Sequence, residues 1–259
     1  MLESIKTYLR TSLDETQRRR ISRFQALKFR GSQHFLYRIF IGSNLKALAT
    51  IYGTDKWGTH WYAQHYETHF APLRRKRLNI LEIGIGGYDD PQAGGNSLRA
   101  WRTYFPKSRI YGIDIHDKSL HDERRIKTFR GSQVDEDFLA EVLKTIGRVD
   151  IVIDDGSHEN EHVLCTFKYL FPRLSENGIY VIEDTQTSYW QSFGGSSDDL
   201  HRPDTTMGFL KALVDGLNYA QFEKEAYEPN YYDKHLTAIH FYHNIVFLQK
   251  GTNNERRNI

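Results

Sequence analysis

The stretch Asn79-Ile-Leu-Glu82-Ile-Gly84-Ile-Gly86-Gly87 reads as a short hydrophobic strand that runs directly into a glycine turn. Glycines at such a position let the backbone approach a ligand closely. The spacing differs from the dinucleotide-binding pattern, because the third glycine follows the second immediately instead of three residues later. The acidic Glu82 gives the turn the pattern Glu-x-Gly-x-Gly. We therefore expect a strand of an α/β sheet with a ligand site at its carboxyl end.

Strand-like and helix-like segments alternate after this turn. Strands are predicted at 79–84, 109–115, 126–130, 149–153 and 179–183, and helices near 96–105, 134–146, 159–171 and 206–218. This alternation predicts a mostly parallel sheet covered by helices on both faces. The apolar run 237–248 is about twice the usual strand length. A tight turn at His243-Asn244 would fold it into an antiparallel hairpin at the end of the sheet.

The composition limits the class of protein. A length of 259 residues suits one α/β domain with an extension, and a formal net charge of +2 is too small to argue for a nucleic-acid partner. The single cysteine, Cys165, excludes an internal disulfide, which fits a reducing compartment. No apolar run reaches the length of a membrane span, and residues 1–20 lack the apolar core of a signal peptide. We therefore expect a cytoplasmic protein.

Residues 1–43 form a basic extension ahead of the predicted domain, residues 44–259. Apolar residues recur in the extension at helical intervals, which predicts one or two amphipathic helices. The favoured interpretation is a solvated helix that packs on the domain or on a partner subunit. Docking on an anionic membrane surface is the alternative. After the extension, a short helix is predicted to end at Gly53 and a second to span 61–70.

Two further predicted strands end in pairs of acidic residues, in Val149-Asp-Ile-Val-Ile-Asp-Asp155 and Gly178-Ile-Tyr-Val-Ile-Glu-Asp184. If these strands are neighbours in a parallel sheet, their carboxylates converge at its carboxyl edge. The converging residues are Asp154, Asp155, Glu183 and Asp184. Such a cluster repels itself unless a cation lies within it, and Mg²⁺ or Mn²⁺ suits oxygen ligands. The alternative is that one acid of each pair caps the following helix.

The pattern Glu-x-Gly-x-Gly resembles the first motif of the class I S-adenosylmethionine-dependent methyltransferases. The resemblance implies a Rossmann-like sheet flanked by helices. It also implies that the glycine turn admits the methionine part of the cofactor, that Asp114 at the end of the second strand accepts both ribose hydroxyls, and that the loop after the third strand borders the adenine. The predicted cofactor-binding residues are Glu82, Gly84, Gly86, Asp114, Ser132, Gln133 and Asp154.

Several longer sequence motifs between residues 45 and 250 indicate a more specific family. They are Gly53-Thr-Asp-Lys56, Gly94-Gly-Asn-Ser-Leu98, Asp155-Gly-Ser-His158 and Glu183-Asp-Thr-Gln-Thr-Ser-Tyr-Trp190. They are similar to phrases of the metal-dependent macrolide deoxysugar O-methyltransferases of the mycinamicin type. This resemblance implies a metal held by Asp155, Glu183 and Asp184, with His158 as general base. Two alternatives for His158 stay open: it could be a fourth metal ligand, or it could form a hydrogen bond at the start of the following helix. The role of Asp154 also stays open, because it could border the cofactor or orient the metal ligands.

The expected function is transfer of a methyl group from S-adenosylmethionine to a sugar hydroxyl of a glycosylated natural product or saccharide, with a divalent metal activating the hydroxyl. The alternatives are a catechol-like diol acceptor and a non-catalytic scaffold subunit with the same fold. We expect no nucleic-acid substrate, because a base-flipping motif of the Asn-Pro-Pro-Tyr type and a broad basic face are lacking. A homo-oligomer is expected. The macrolide enzymes carry a larger N-terminal part than this chain, which leaves acceptor and oligomer contacts open.

Overall fold

The computed structural model describes residue 37, residues 41–224 and residues 226–254. The predicted basic extension lies outside the described residues except for 37 and 41–43, so its helices and its membrane contact stay predictions. No helix of the described residues combines the length and the apolar character needed to cross a membrane.

The described residues form one seven-stranded sheet in the order β3-β2-β1-β4-β5-β7-β6. The strands are β1 (Asn79–Ile83), β2 (Arg109–Asp114), β3 (Ile126–Arg130), β4 (Val149–Asp154), β5 (Leu174–Glu183), β6 (Leu236–Tyr242) and β7 (Ile245–Lys250). β1 to β5 pair in parallel, whereas β7 is antiparallel to both of its neighbours. The parallel sheet and the hairpin turn at His243-Asn244 are therefore confirmed.

One strand begins earlier than the sequence predicts. β5 starts at Leu174 instead of at 179, because Leu174 pairs with Val149 of β4 before a register irregularity. The residues between are polar and partly exposed, with a glycine at 178, so the hydrophobic pattern shows only the buried half of the strand. The extra length lies at the end of β5 that is remote from the acidic residues.

Helices flank the sheet, and the predicted ones begin and end within about two residues of their expected bounds, the usual scatter of helix ends. They are α1 (Leu45–Tyr52), α2 (Ala63–Phe70), α3 (Asn96–Tyr104), α4 (Glu136–Ile146), α5 (Asn160–Leu170), α6 (Thr206–Gly216) and α7 (Tyr231–His235). The short α7 was not predicted. Its start carries a capping box in which Asn230 and Asp233 each bind the backbone of the other.

Two hydrophobic cores lie on opposite faces of the sheet. Side chains alternate between faces along a strand, so Ile80 joins the core under α1–α3 while Leu81 joins the core under α4–α6. Tyr66 and Phe70 of α2 are fully buried on the first face. Each large apolar side chain buried in this way contributes about 1.5–3 kcal/mol. This packing anchors α2 beside the carboxyl ends of β1, β4 and β5.

The strand register brings the predicted site residues to one edge. Ile83 of β1 pairs with Asp154 of β4, and Asp154 pairs with Ile182 of β5. The residues that follow these three in sequence are Gly84, Asp155 and Glu183. The glycine turn and the acidic pairs are therefore neighbours across adjacent strands.

Candidate active site

The glycine turn touches the end of β4 directly. Gly84 has φ +86°, and a Cβ built there would lie 1.9 Å from the carbonyl oxygen of Asp155. Its amide donates to the carbonyl of Ile113 on the other side, at 2.9 Å. A side chain at this position would separate β1 from β4, so glycine is required both for its φ and for the close contact.

Two adjoining clefts open at this edge of the sheet. The larger, of about 750 Å³, is lined by the glycine turn together with Asp155 and His158. The smaller, of about 220 Å³, is lined by Asp114, Ser132 and Gln133. Gly84, Gly156 and Ser157 line both. The structure thus brings five of the predicted cofactor residues to two clefts that share a wall: Gly84, Gly86, Asp114, Ser132 and Gln133.

Asp114 is fixed in the wall of the smaller cleft by backbone amides. Its Oδ2 accepts from the amide of Ile85 at 3.0 Å, and its Oδ1 accepts from the amide of His116 at 2.9 Å. An ionised carboxylate offers about four acceptor positions on its two oxygens. Both oxygens therefore keep capacity for a further donor such as a ribose hydroxyl.

Glu82 and Asp154 lie behind the clefts instead of lining them. Glu82 is fully buried and accepts from Ser97 at 2.8 Å and from the indole of Trp101 at 3.2 Å. Asp154 accepts from Gln133 and from Tyr180, both at 3.3 Å. Burial raises the pKa of each carboxyl to about 7. Contact of these two residues with a cofactor stays a prediction, and the hydrogen bonds suggest action through Ser97 and Gln133.

One residue of each acidic pair forms an ion pair with the same buried lysine, Lys56. The Nζ atom of Lys56, a residue only 3% exposed, lies 2.6 Å from Oδ2 of Asp155 and 2.6 Å from Oε1 of Glu183. Burial alone would lower the pKa of Lys56, but these carboxylates, with that of Glu82, raise it well above the ordinary value. Tyr66 donates to the same Glu183 oxygen. The lysine is therefore charged and neutralises part of the negative charge of the acid cluster.

The remaining oxygens of the cluster turn toward His158. Asp184 accepts from the hydroxyl of Tyr62 through Oδ1, at 2.6 Å, and its Oδ2 lies 3.6 Å from Nε2 of His158. Oδ1 of Asp155 lies 3.8 Å from the same nitrogen. Ligand atoms of Asp155, His158 and Asp184 lie within 4.8 Å of one another. Carboxylate oxygens with an imidazole nitrogen form a donor set that suits a divalent cation such as Mn²⁺ or Mg²⁺.

This compact group differs from the predicted metal set in one member. Asp155, Glu183 and Asp184 do converge at the sheet edge, but the group of mutually close ligand atoms contains His158 and not Glu183. Glu183 lies on the buried side, where Lys56 and Tyr66 bind its Oε1. Which residues ligate a metal therefore stays a prediction, as does the role of His158.

Two members of this group have unusual backbone conformations. His158 has φ 59° and Asp184 has φ 52°, both in the left-handed region. For residues other than glycine this conformation costs about 1–2 kcal/mol, less for aspartate. Such strain persists where the surrounding structure holds it and is concentrated at functional sites. Here it accompanies the turns that bring both side chains to one point.

Comparisons with known proteins agree with this geometry, although no protein-family model matches the sequence. The chain is 49% identical over 210 residues, 81% of its length, to the 8-demethyl-8-alpha-L-rhamnosyl tetracenomycin-C 2'-O-methyltransferase of Streptomyces olivaceus. It is 44% identical over 214 residues, 82% of its length, to the mycinamicin VI 2''-O-methyltransferase of Micromonospora griseorubida. These matches cover 55% and 54% of the relatives, so the chain spans about half of their length.

A solved structure matches the fold. The MycE methyltransferase of the mycinamycin pathway, in complex with Mg, SAH and mycinamycin VI, superposes with a TM-score of 0.80 at 44% identity, over 83% of this chain and 55% of that one. The chain belongs to the class I methyltransferases. Its fold and its resemblance to the mycinamicin-type enzymes are thereby confirmed.

The sequence did not predict the contacts that three residues make with the acid cluster. These residues are Lys56, Tyr62 and Tyr66. The sequence carries no motif that joins Lys56 or Tyr62 to the acidic strand ends, although the neighbouring Asp55 does line the larger cleft. Tyr66 lies inside α2, where its sequence context shows only a buried aromatic residue. Nothing in the residues around Tyr66 signals its contact with Glu183, which lies 117 positions away in the sequence.

The loop after the glycine turn is held by two buried polar side chains, Lys118 and His121. Nζ of Lys118, in the segment after β2, donates to the carbonyls of Asp90 and Ala93 at 2.8 and 3.2 Å. His121 lies 3.1 Å from the same Ala93 carbonyl through Nε2. Tyr88, 85% exposed, begins this loop and lines the larger cleft with Phe193. The protein thus has a fixed loop that carries an exposed aromatic ring at the cleft.

Proposed function

We propose that the protein transfers the methyl group of S-adenosylmethionine to a sugar hydroxyl of a small-molecule glycoside, with a divalent metal at the acid cluster. The observation that carries this proposal is the common cleft: the glycine turn, Asp155 and His158 line the same space. A methyl donor in the glycine turn and a hydroxyl near the carboxylates would therefore be neighbours. The sugar acceptor is supported by the names of the relatives, which are sugar O-methyltransferases of glycosylated natural products.

The residues fit S-adenosylmethionine. A Cβ on Gly86 would meet no atom closer than 4.0 Å, so a side chain there would fill open cleft space. Gly84 and Gly86 would hold the methionine part, Asp114 the ribose, and Ser132 and Gln133 the adenine. Glu82 and Asp154 would support this arrangement through Ser97 and Gln133. When bound, the cofactor supplies a methyl group on a positively charged sulfur.

The acid cluster fits a divalent metal by the chemistry of its donors. Asp155 and Asp184 would hold the ion through the oxygens that face His158, with Glu183 completing the predicted set. Mg²⁺ or Mn²⁺, when bound, lowers the pKa of a coordinated hydroxyl. The carboxylates concentrate negative charge on one side of the cleft, which favours the cation and the positively charged methyl donor alike.

His158 would take the proton of the acceptor hydroxyl. Its Nε2 lies 3.8 Å from Oδ1 of Asp155 and 3.6 Å from Oδ2 of Asp184, and the residue lines the cleft. These carboxylates stabilise an imidazolium once the proton has been transferred. Methyl transfer forms the bond from hydroxyl oxygen to methyl carbon and breaks the bond from that carbon to sulfur. It needs no covalent intermediate with the protein.

Calorimetric titration with S-adenosylhomocysteine, with Mg²⁺ and after EDTA, tests the proposal first. We expect cofactor binding together with separate Mg²⁺ binding that EDTA abolishes. A panel of glycosides and catechols, followed by mass spectrometry, then distinguishes the sugar acceptor from the diol alternative. Failure to bind the cofactor under every condition would favour the scaffold alternative. The division at residue 43, the homo-oligomer and the function of the basic extension stay predictions.

The substitution His158→Ala tests the base. Loss of a general base lowers turnover by about 10²–10⁴-fold, and we expect the dissociation constant for Mg²⁺ to change by less than about threefold. His201→Ala, at an exposed residue, serves as the control. Loss of Mg²⁺ binding in His158→Ala would make His158 a ligand of the metal instead of the base.

A further inference from the structure

Lys56 is a buried positive charge at the centre of the acid cluster. Its Nζ contacts Asp155 and Glu183 at 2.6 Å each and lies 3.6 Å from Oε1 of Glu82. A buried lysine without partners is expensive, because its charge loses the solvation of water. The three carboxylates offset this cost, and the lysine in turn offsets their mutual repulsion.

The lysine and a metal would use different oxygens of Asp155. Oδ2 of Asp155 binds Lys56, whereas Oδ1 faces His158 and the candidate metal group. The two oxygens of Asp184 are used in the same way: Oδ1 accepts from the hydroxyl of Tyr62, and Oδ2 faces His158. The inner partners therefore determine which oxygen of each aspartate faces the cleft.

The backbone around Lys56 is fixed on both sides. The helix α1 ends at Gly53, which has φ 73° and whose amide donates to the carbonyl of Ala49. The carbonyl of Lys56 accepts from the amide of Ala63 at the start of α2, at 3.0 Å. The amide of Lys56 contacts Oγ1 of Thr54 at 3.3 Å. The ammonium group is thus held in place by a fixed turn between two packed helices.

We propose that Lys56 is a positioning residue: it is the built-in counter-cation that keeps Asp155 and Glu183 together before the metal binds and that directs Oδ1 of Asp155 toward the metal. This inference rests on the proposed metal site. One ammonium does not balance the three acids Asp155, Glu183 and Asp184 that meet at the strand ends. A divalent cation is still attracted, and the ligands are already in place when it arrives.

The test compares Lys56→Met with Lys56→Arg by thermal unfolding in EDTA and in saturating Mg²⁺. Removing one partner of a buried ion pair destabilises strongly, and we expect the unfolding midpoint of Lys56→Met in EDTA to fall by about 10 °C. Mg²⁺ should restore much of this loss, so its stabilising shift is larger in the variant than in the wild type. Lys56→Arg keeps the charge and should show a shift close to that of the wild type.

Calorimetry gives a second readout. Lys56→Met loses the positioning of Asp155, but it also removes a positive charge that lies 2.6 Å from Asp155 and Glu183 and repels a cation. We expect the removal of this repulsion to dominate, so that the dissociation constant for Mg²⁺ falls by at least about fivefold, within the usual range of coupling between sites. Lys144→Met, at a lysine whose side chain is 77% exposed, is the matched control and should change neither quantity.

The possible outcomes distinguish failure of the proposed role of Lys56 from failure of the proposed metal site. If Mg²⁺ stabilises neither the wild type nor any variant, the proposed metal site is wrong. If Mg²⁺ shifts the wild type and Lys56→Met equally, the lysine has only a structural role and the inference is overturned. A Lys56→Met protein that folds with Mg²⁺ and not in EDTA supports the inference. One that fails to fold in both conditions contradicts it, as does Lys56→Arg behaving like Lys56→Met.

Discussion

The carboxyl edge of the sheet has two halves that are built differently. At the ends of β1, β2 and β3 the site consists of backbone turns and cleft walls, with Gly84, Asp114 and Ser132 on or near local turns. At the ends of β4 and β5 it consists of buried charged side chains, with Lys56 between Asp155 and Glu183. The first half depends on backbone shape, whereas the second depends on a balance of charge.

This difference determines which half of the site can be recognised from a short stretch of sequence. A glycine turn needs residues that are adjacent in sequence, and a motif records them. The charge balance needs partners that are distant, because Lys56 is 99 positions from Asp155 and 127 from Glu183. Tyr66 is 117 positions from Glu183. A substitution should therefore affect one half more than the other, which allows the comparison to be tested.

The largest effect on ligand binding is expected from Asp155→Asn, which should separate the two halves. It removes a charge that faces both Lys56 and the candidate metal group. We expect turnover to fall by about 100-fold and Mg²⁺ binding to weaken at least tenfold. Binding of S-adenosylhomocysteine should stay within about twofold, since the glycine half is intact.

Asp150→Asn is the matched control, because Asp150 lies on the same strand at its opposite end, where it accepts from the amide of Asn79 at 2.9 Å. It should leave both ligands bound as in the wild type. If Asp155→Asn were fully active in EDTA, the proposed role of the metal would be wrong. The acidic residues at the ends of β4 and β5 would then have only a structural role.

A smaller effect is expected from Gly84→Ala, which should damage both halves at once. The added Cβ is strained by a positive φ and would lie 1.9 Å from the Asp155 carbonyl, so β1 and β4 must move apart. We expect a loss of about 2–4 kcal/mol in the free energy of unfolding, with weaker binding of cofactor and Mg²⁺. Urea unfolding and calorimetry measure these changes.

Gly86→Ala sharpens the same test. Gly86 also has a positive φ, 77°, but its Cβ would lie in open cleft space. We expect a loss of about 1–2 kcal/mol and weaker cofactor binding, with Mg²⁺ binding retained. Equal loss of Mg²⁺ binding in both variants would show that backbone strain, and not the contact between strands, couples the halves.

The smallest effect on ligand binding is expected from Asp154→Asn, behind the boundary of the two halves. Burial raises the pKa of Asp154 from 3.8 to about 7, so folding favours the protonated carboxyl. The stability from this preference is fully present below pH 4 and is lost as the pH rises toward 7. At about 1.4 kcal/mol per pKa unit, the loss is at most about 4 kcal/mol.

The amide of Asp154→Asn cannot ionise, so we expect the variant to gain stability relative to the wild type at pH 8 but not at pH 4. Urea unfolding at the two pH values measures the difference. The same change at both pH values would mean that the carboxyl of Asp154 is not held protonated by burial.

Much of the fold was predictable because its signals are local. The alternating segments predicted the parallel strands, and the polar pair His243-Asn244 predicted the hairpin, since Asn244 has φ 62° as a tight turn requires. The first half of β5 was missed because its residues are polar and are held by pairing with β4. The helix α7 was missed because its five residues are too few for periodicity to show.

The sequence by itself determined the sheet, the glycine turn and the set of acidic residues at its edge, because hydrophobic period, glycine spacing and strand ends are written in consecutive residues. Only the tertiary structure decided which oxygens of Asp155 and Asp184 face the cleft, that Glu82 and Asp154 lie behind it, and that Lys56 lies within the cluster. These features follow from contacts between residues far apart in the chain. Packing of α2 against the sheet, for example, places Tyr66 beside Glu183. Charge in a buried site is balanced by whichever groups the fold brings near, and their distance in sequence has no effect on that energy.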